Sequence, residues 1–164
     1  MRKLIRILLA GIAIGSVAHS PSIFGAGASD SITQAEAESF VTSFYHDLEG
    51  DNFDKFIAHF DKTVVYYSDG PKDRDYVASD LGRYCASYPS RSFVIGEIKS
   101  KPSPNSGGLS VKFDIRFFIR SPERDITRYG RSHVDWDLAK RDGALKIIRF
   151  DGSAAKEPAA SPSR

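Results

Sequence analysis

From Leu109 to Ile119 every odd position is apolar (Leu109, Val111, Phe113, Ile115, Phe117, Ile119), and the even positions are polar except Phe118. A period of two predicts a strand with one buried face. Ser121-Pro122-Glu123-Arg124 reads as a tight turn, so residues 109–138 form two long strands of a hairpin. Setting Arg120 opposite Asp125 places Asp114 against Arg131 and Arg116 against Tyr129, with two opposite-charge pairs on one face. The other face then pairs Ile119 with Ile126, Phe117 with Arg128, Ile115 with Gly130, Phe113 with Ser132, Val111 with Val134 and Leu109 with Trp136. That face would be apolar at its ends and small in the middle, at Gly130 and Ser132, where a ligand could sit. A single bulge would exchange the faces of the second strand.

Upstream the period changes to that of helices. Ala37, Phe40, Val41, Phe44 and Leu48 form one stripe, opened by a Thr33–Glu36 capping box and stopped at Gly50. Asp51 is expected to cap a short second helix with Phe53, Phe56, Ile57 and Phe60 inward. Thr63–Tyr67 reads as a short strand, and residues 68–71 as a turn with Pro71 at the start of a third helix. That helix carries Val77, Leu81, Tyr84, Cys85 and Tyr88, and Pro89 ends it. Strands follow over Arg91 to about Lys99 and Ala144–Phe150, with a loop at Lys101–Gly108 and a turn at Asp142-Gly143. Helix, helix, strand, helix and four strands predict an α+β domain. Its curved antiparallel sheet forms a cone, covered on the concave face by three N-terminal helices, with a pocket inside.

The first residues follow another logic. Arg2, Lys3 and Arg6 precede an apolar run over Ile7–Ala18, and Ala26-Gly27-Ala28 fits a cleavage site. Residues 1–28 are therefore expected to be a signal peptide, 29–152 the domain and 153–164 a disordered tail rich in Ala, Pro and Ser. The run is short for a membrane span. An exported protein of the periplasm or the extracellular space is expected, with no membrane span after cleavage. Removing residues 1–28 lowers the formal charge of +2 by those three basic residues, to −1. A near-neutral domain offers no electrostatic case for nucleic acid. Cys85 is the sole cysteine, so no internal disulfide forms, and its helical stripe suggests a small buried hydrophobe.

Glu49-Gly50-Asp51-Asn52-Phe53, Phe60-Asp61-Lys62-Thr63-Val64-Val65 and Leu145-Lys146-Ile147-Ile148 carry a resemblance to the nuclear transport factor 2-like superfamily, over about Thr33 to Gly152. Tyr66-Tyr67-Ser68-Asp69-Gly70 and Tyr88-Pro89-Ser90-Arg91-Ser92-Phe93 look like an exported bacterial subgroup of unsettled activity. The resemblance implies the cone fold and a homodimer through the outer sheet face. The superfamily includes ketosteroid isomerases, cyclases, dehydratases and non-catalytic binding domains, so fold alone names no function. Isomerase chemistry would need a carboxylate base where this chain has Tyr67, and a helical tyrosine where the spacing gives Ser43. Tyr45 falls on another side of that helix. Both departures speak against that reaction.

His133 and Asp135 share a strand face with Tyr129, Arg131 and Asp137, which permits an acid–base pair or a metal cluster. In the register above that face is the outer one, with Lys112 opposite His133, and a solvated or dimer-forming surface outweighs catalysis. No residue is assigned to catalysis, and no metal or cofactor is expected, since no metal-spaced set, phosphate loop or serine-nucleophile motif is present. His46 and His59 are placed at the surface or rim. Consecutive Tyr66 and Tyr67 should point to opposite faces. The inward one would line the pocket with Tyr84, Arg128, Ser132 and Trp136, and Arg128 there would need a carboxylate such as Asp69 or Asp80, or an anionic ligand. The expectation is a binding domain for a small, partly apolar molecule or an envelope protein. The alternatives are an isomerase, cyclase or dehydratase and a structural envelope component.

Overall fold

The computed structural model describes residues 31–50, 52–104 and 107–155. The signal-peptide reading at 1–28, the expected cap Asp51 and the tail from 156 onward lie outside them. The capping box forms: the Thr33 hydroxyl accepts from the Glu36 N–H, and the Glu36 carboxylate accepts the Thr33 N–H at 2.8 Å. It opens α1 (Gln34–Glu49), which buries Ala37, Val41, Phe44, Tyr45 and Leu48. Asn52 starts α2 (Phe53–Ile57) by accepting from the Lys55 N–H at 3.1 Å. The third helix, α3 (Arg74–Ser87), begins later than Pro71 suggested. Asp73 accepts the Tyr76 N–H at 2.7 Å and is the stronger start signal. Pro71–Asp73 instead forms a short strand, β2, beside β1 (Phe60–Tyr66).

The other strands are β3 (Ser90–Ile95), β4 (Lys99–Pro102), β5 (Leu109–Ser121), β6 (Ile126–Arg141) and β7 (Ala144–Ala154). Their order across the sheet is β2-β1-β7-β6-β5-β3, with β4 also paired to β5. The sheet is mixed, not antiparallel throughout, because β1 runs parallel to β7. Alternating side chains carry no sign of strand direction, so that pairing was invisible in the pattern. β4 lies partly in the expected loop at 101–108. β7 continues past Phe150 to Ala154, since β6 offers backbone partners at His133 and Ser132.

The hairpin register differs from expectation by two residues. Ser121 pairs with Ile126, and Pro122–Arg124 forms a 3-10 turn closed by Asp125 at φ 51°. The pairs Arg120–Asp125, Asp114–Arg131 and Arg116–Tyr129 are replaced by Arg120–Thr127, Asp114–His133 and Arg116–Arg131. Inside, Val111 meets Trp136, Phe113 meets Val134, Ile115 meets Ser132, and Phe117 meets Gly130. A slip of two keeps every side chain on its face, so the burial pattern survives although each partner changed. Trp136, Phe44, Phe56 and Phe60 lie at the centre of the core, each at most 1 % exposed. Burying a side chain of this size is worth about 1.5–3 kcal/mol.

The helices are fastened to the open side of the sheet by polar contacts. The half-buried Arg91 on β3 donates to the carbonyls of Leu48 at 2.9 Å, Cys85 at 3.0 Å and Tyr88 at 2.7 Å. One guanidinium thus satisfies the C-terminal ends of both α1 and α3. Glu49 accepts the Phe93 N–H at 2.5 Å, and the Gln34 side chain donates to the Ile98 carbonyl at 2.7 Å. Backbone groups on that free edge are thereby capped by α1, which removes a template for strand addition.

Candidate functional site

Between the helices and the sheet lies a cavity of about 300 Å³. Phe44, Tyr45 and Leu48 of α1 and Leu81 and Tyr84 of α3 form its roof, while Ile115, Phe117, Ser132, Val134, Trp136 and Phe150 form much of its floor. Gly152, Ser153 and Ala154 of the unexpected β7 extension complete its rim. The expected gap at Gly130 is closed. The Phe117 ring crosses it so closely that a Cβ on Gly130 would lie 2.8 Å from Phe117 Cζ. Ser132 does border the cavity, and its hydroxyl donates to the Ser153 carbonyl at 2.9 Å.

The polar lining is mainly tyrosine. Tyr45 is 5 % exposed and stacks on Trp136, with ring centroids 6.0 Å apart. Ser43, at the expected helical tyrosine position, is exposed, and Tyr45 takes the inward side. Tyr67 stands at the mouth, 41 % exposed, and Tyr84 is half-buried. Among the described residues none of these three hydroxyls bonds to protein, whereas Tyr66 donates to Asp80 at 2.9 Å and Tyr76 to Asp69 at 3.0 Å. Burial, then the neighbouring Tyr67 and Tyr84, raise the Tyr45 phenol far above its ordinary range. Tyr67 is pushed up to about 12 by burial and then by Asp151, and Tyr84 to about 12 by burial, with Arg91 opposing. At neutral pH all three are uncharged donors.

The expected lining residues divide. Tyr67, Tyr84, Ser132 and Trp136 border the cavity, and Tyr66 and Arg128 do not. Tyr66 is buried beneath it, stacked on Phe150 at 5.7 Å. Strict alternation fails at this pair because Tyr67 leaves the strand at φ 48°, opening a 3-10 turn. Both rings consequently pack on Phe150, Tyr66 stacked and Tyr67 edge-on. Arg128 is exposed, with its guanidinium over the Tyr88 ring at 6.0 Å, and contacts neither Asp69 nor Asp80. The shifted register moved it toward the hairpin tip.

His133 and Asp135 stand on the outer face and do not meet. His133 is bonded to Asp114, while Asp135 takes Lys112 at 2.5 Å and also Arg149. His46 is exposed. His59 is paired with Asp47 at 2.8 Å, packed edge-on to Phe40 and Phe44. Sequence reading missed that pair and the inward Tyr45. For Tyr45 the signal was present, since it lies one turn from Val41 and Leu48 on the stripe. Cys85 is half-buried, and desolvation pushes its thiol up, away from reactivity. Among the described residues no group of three His, Cys, Asp or Glu side chains is placed to hold a metal ion, and no helix is long and apolar enough to cross a membrane.

No protein-family model matches the chain, and no curated protein matches it by sequence. Solved structures do. A scytalone dehydratase-like protein from Novosphingobium aromaticivorans superposes with a TM-score of 0.62 at 15% identity, covering 73% of this chain and 81% of the other. A dehydratase-type member of the nuclear transport factor 2-like family from Streptomyces avermitilis gives 0.64 at 10% identity, over 75% and 97%. A type 2 hexachlorocyclohexane dehydrochlorinase gives 0.59 at 12% identity, over 79% and 94%. Identities this low speak for architecture, and the curved, unclosed mixed sheet under three helices agrees with them. The chain has the nuclear transport factor 2-like fold.

Proposed function

We propose that this is an exported binding domain that holds one small, neutral, mostly apolar molecule by donating tyrosine hydrogen bonds to an oxygen on it. The observation that carries the reading is the set of Tyr45, Tyr67 and Tyr84 hydroxyls, without protein acceptors, on a cavity lined mostly by apolar residues. Beside them the Trp136 Nε1–H is buried without a partner among the described residues, and the cost of such a donor, about 1–3 kcal/mol, is offset by an acceptor oxygen on a ligand. Asp151 also borders the cavity, but its carboxylate accepts the Gly152 N–H at 2.7 Å and lies 3.8 Å from Arg149 on the outer face. Among the described residues no lysine or arginine lines the cavity to receive an anionic ligand. Isomerase, cyclase or dehydratase chemistry would need a base aimed into the cavity; phenols held neutral do not supply one, and the Asp151 carboxylate is engaged by Gly152 and Arg149. The N-terminal Arg2-Lys3-Arg6 and apolar run support export.

Thermal-shift titration of the full chain with acetylnaphthalene, ethylnaphthalene and naphthoate tests this reading. The ketone should raise Tm most, the hydrocarbon less, and the anion not at all. A Tm unmoved by the ketone and the hydrocarbon would transfer the case to a protein partner in the envelope.

A further inference from the structure

Phe118, the one apolar side chain among the even positions of β5, lies on the outer face of the sheet opposite Tyr129. It is 44 % exposed, Tyr129 is 78 %, and Val94, beside Arg116 on β3, is 52 %. Arginines bracket this aromatic pair. Arg116 lies directly across from Arg131 on one side, and Arg120 lies in the next row on the other. None of the three meets a carboxylate among the described residues. Like charges directly opposed across strands are destabilising, so the facing pair gains from an anion outside the chain. The acids of the neighbouring rows are already engaged, Asp114 by His133 and Asp135 by Lys112 and Arg149. Residues 116–131 hold five arginines against two acids, a net +3, which leaves −4 for the rest of the chain after residue 28. Positive charge and exposed apolar side chains thus gather toward the hairpin tip.

We propose that this face of the hairpin docks on an anionic phospholipid bilayer, with Phe118 and Tyr129 seated among the headgroups and the arginines on phosphates around them. Aromatic rings at the membrane–water boundary, with basic side chains beside them, are what holds a protein element on a bilayer surface. Each arginine close to an anionic membrane contributes about fivefold in affinity. The spacing favours a plane of anions over one bound phosphate. Arg116 and Arg131 are close enough to share a phosphate, whereas Arg120 stands about 13 Å along the strand from Arg116, with the two rings between. Charge alone does not account for those rings, which a headgroup layer buries together with Val94. A second copy of this chain centred on the patch would set arginine over arginine, which costs stability. The docking does not rest on the cavity's ligand.

Vesicle sedimentation of the full chain tests it. Vesicles of equal parts phosphatidylglycerol and phosphatidylcholine should carry down the wild type more strongly than phosphatidylcholine alone. Salt at about 1 M, where screening falls to about 3 Å, should remove most of that difference. Residues 1–28 are common to all variants, so differences among variants report on the hairpin. Arg116→Gln with Arg131→Gln should weaken binding about 25-fold, and Phe118→Ser with Tyr129→Ser about fivefold or more, with circular dichroism unchanged. Placement is read separately, in a Cys85→Ala background, by a nitrobenzoxadiazole label on Ser92→Cys, whose exposed position on β3 lies across from Phe118. Its emission should shift to the blue with the anionic vesicles, and the same label on Ser39→Cys, exposed on α1, should not respond. A Ser92 label that stays unchanged while the chain sediments overturns the proposal. So does a label already blue without vesicles, as a face covered by protein would give. Arginine variants that fold and bind as wild type also overturn it. The last contrary outcome is a serine variant that binds unchanged while polyglutamate competes, which would assign the patch to an acidic polypeptide.

Discussion

Four tyrosines near the cavity are held protonated by burial before any other cause: Tyr45, Tyr66, Tyr67 and Tyr84. Their folded-state values lie above those of the unfolded chain. Their contribution is therefore fully present below about pH 10 and is lost as pH rises toward the folded values. Stability should be flat with respect to these groups through neutral pH and should fall between about pH 10 and 12. Phenolate absorbance should rise together with loss of circular dichroism over that interval; ionisation of all four well before unfolding would show that they are solvated. Tyr45→Phe removes a hydroxyl that has no protein acceptor and opens on the cavity, so thermal or denaturant unfolding should show a loss below about 0.5 kcal/mol, or a gain of up to about 1 kcal/mol. The same change should erase the advantage of acetylnaphthalene over ethylnaphthalene. Trp136, the sole tryptophan and fully buried, reports on the cavity directly: burial should shift its emission to the blue, and a bound ketone should alter it further.

At the level of elements, two details hold the architecture in register. Arg91 joins the ends of α1 and α3 to β3, and Arg91→Ala leaves three carbonyls without that donor. Chemical denaturation should show a loss of about 3 kcal/mol. Arg91→Lys should recover little, because an ammonium cannot span that fork. The second detail is close approach of backbone. A Cβ at Gly108 would fall inside the van der Waals shell of the Leu138 carbonyl, whereas one at Gly130 meets only the end of the Phe117 ring. Gly108→Ala should therefore destabilise by about 2–4 kcal/mol and Gly130→Ala by about 1 kcal/mol or less, since a side chain can turn and a strand cannot. Gly130→Ala should also displace Phe117 toward the cavity and weaken ketone binding.

Across the whole molecule, order should follow the central strands. Amide exchange should be slowest at Val111, Phe113, Val134 and Trp136, which are buried on β5 and β6, and fastest on the short strands β2 and β4. Equal exchange across all seven strands would refute a single dominant core. Much of this was legible beforehand. The period of two along Leu109–Ile119 set the faces of β5, and the Thr33–Glu36 box set the start of α1, because side-chain spacing and capping are local matters. The same locality misled at Pro71, where Asp73 competed for the cap, and at Tyr66-Tyr67, where positive φ broke the alternation. The outer placement of His133 and Asp135 followed from parity, which a two-residue slip leaves intact. What only tertiary structure decided was partnership: β1 beside β7, Arg91 across two helices, Phe117 laid over Gly130, and Tyr45 brought with Tyr67 and Tyr84 to one hollow. Those contacts join residues distant in sequence. Spacing along the chain fixes which way a side chain faces, and packing chooses what it meets.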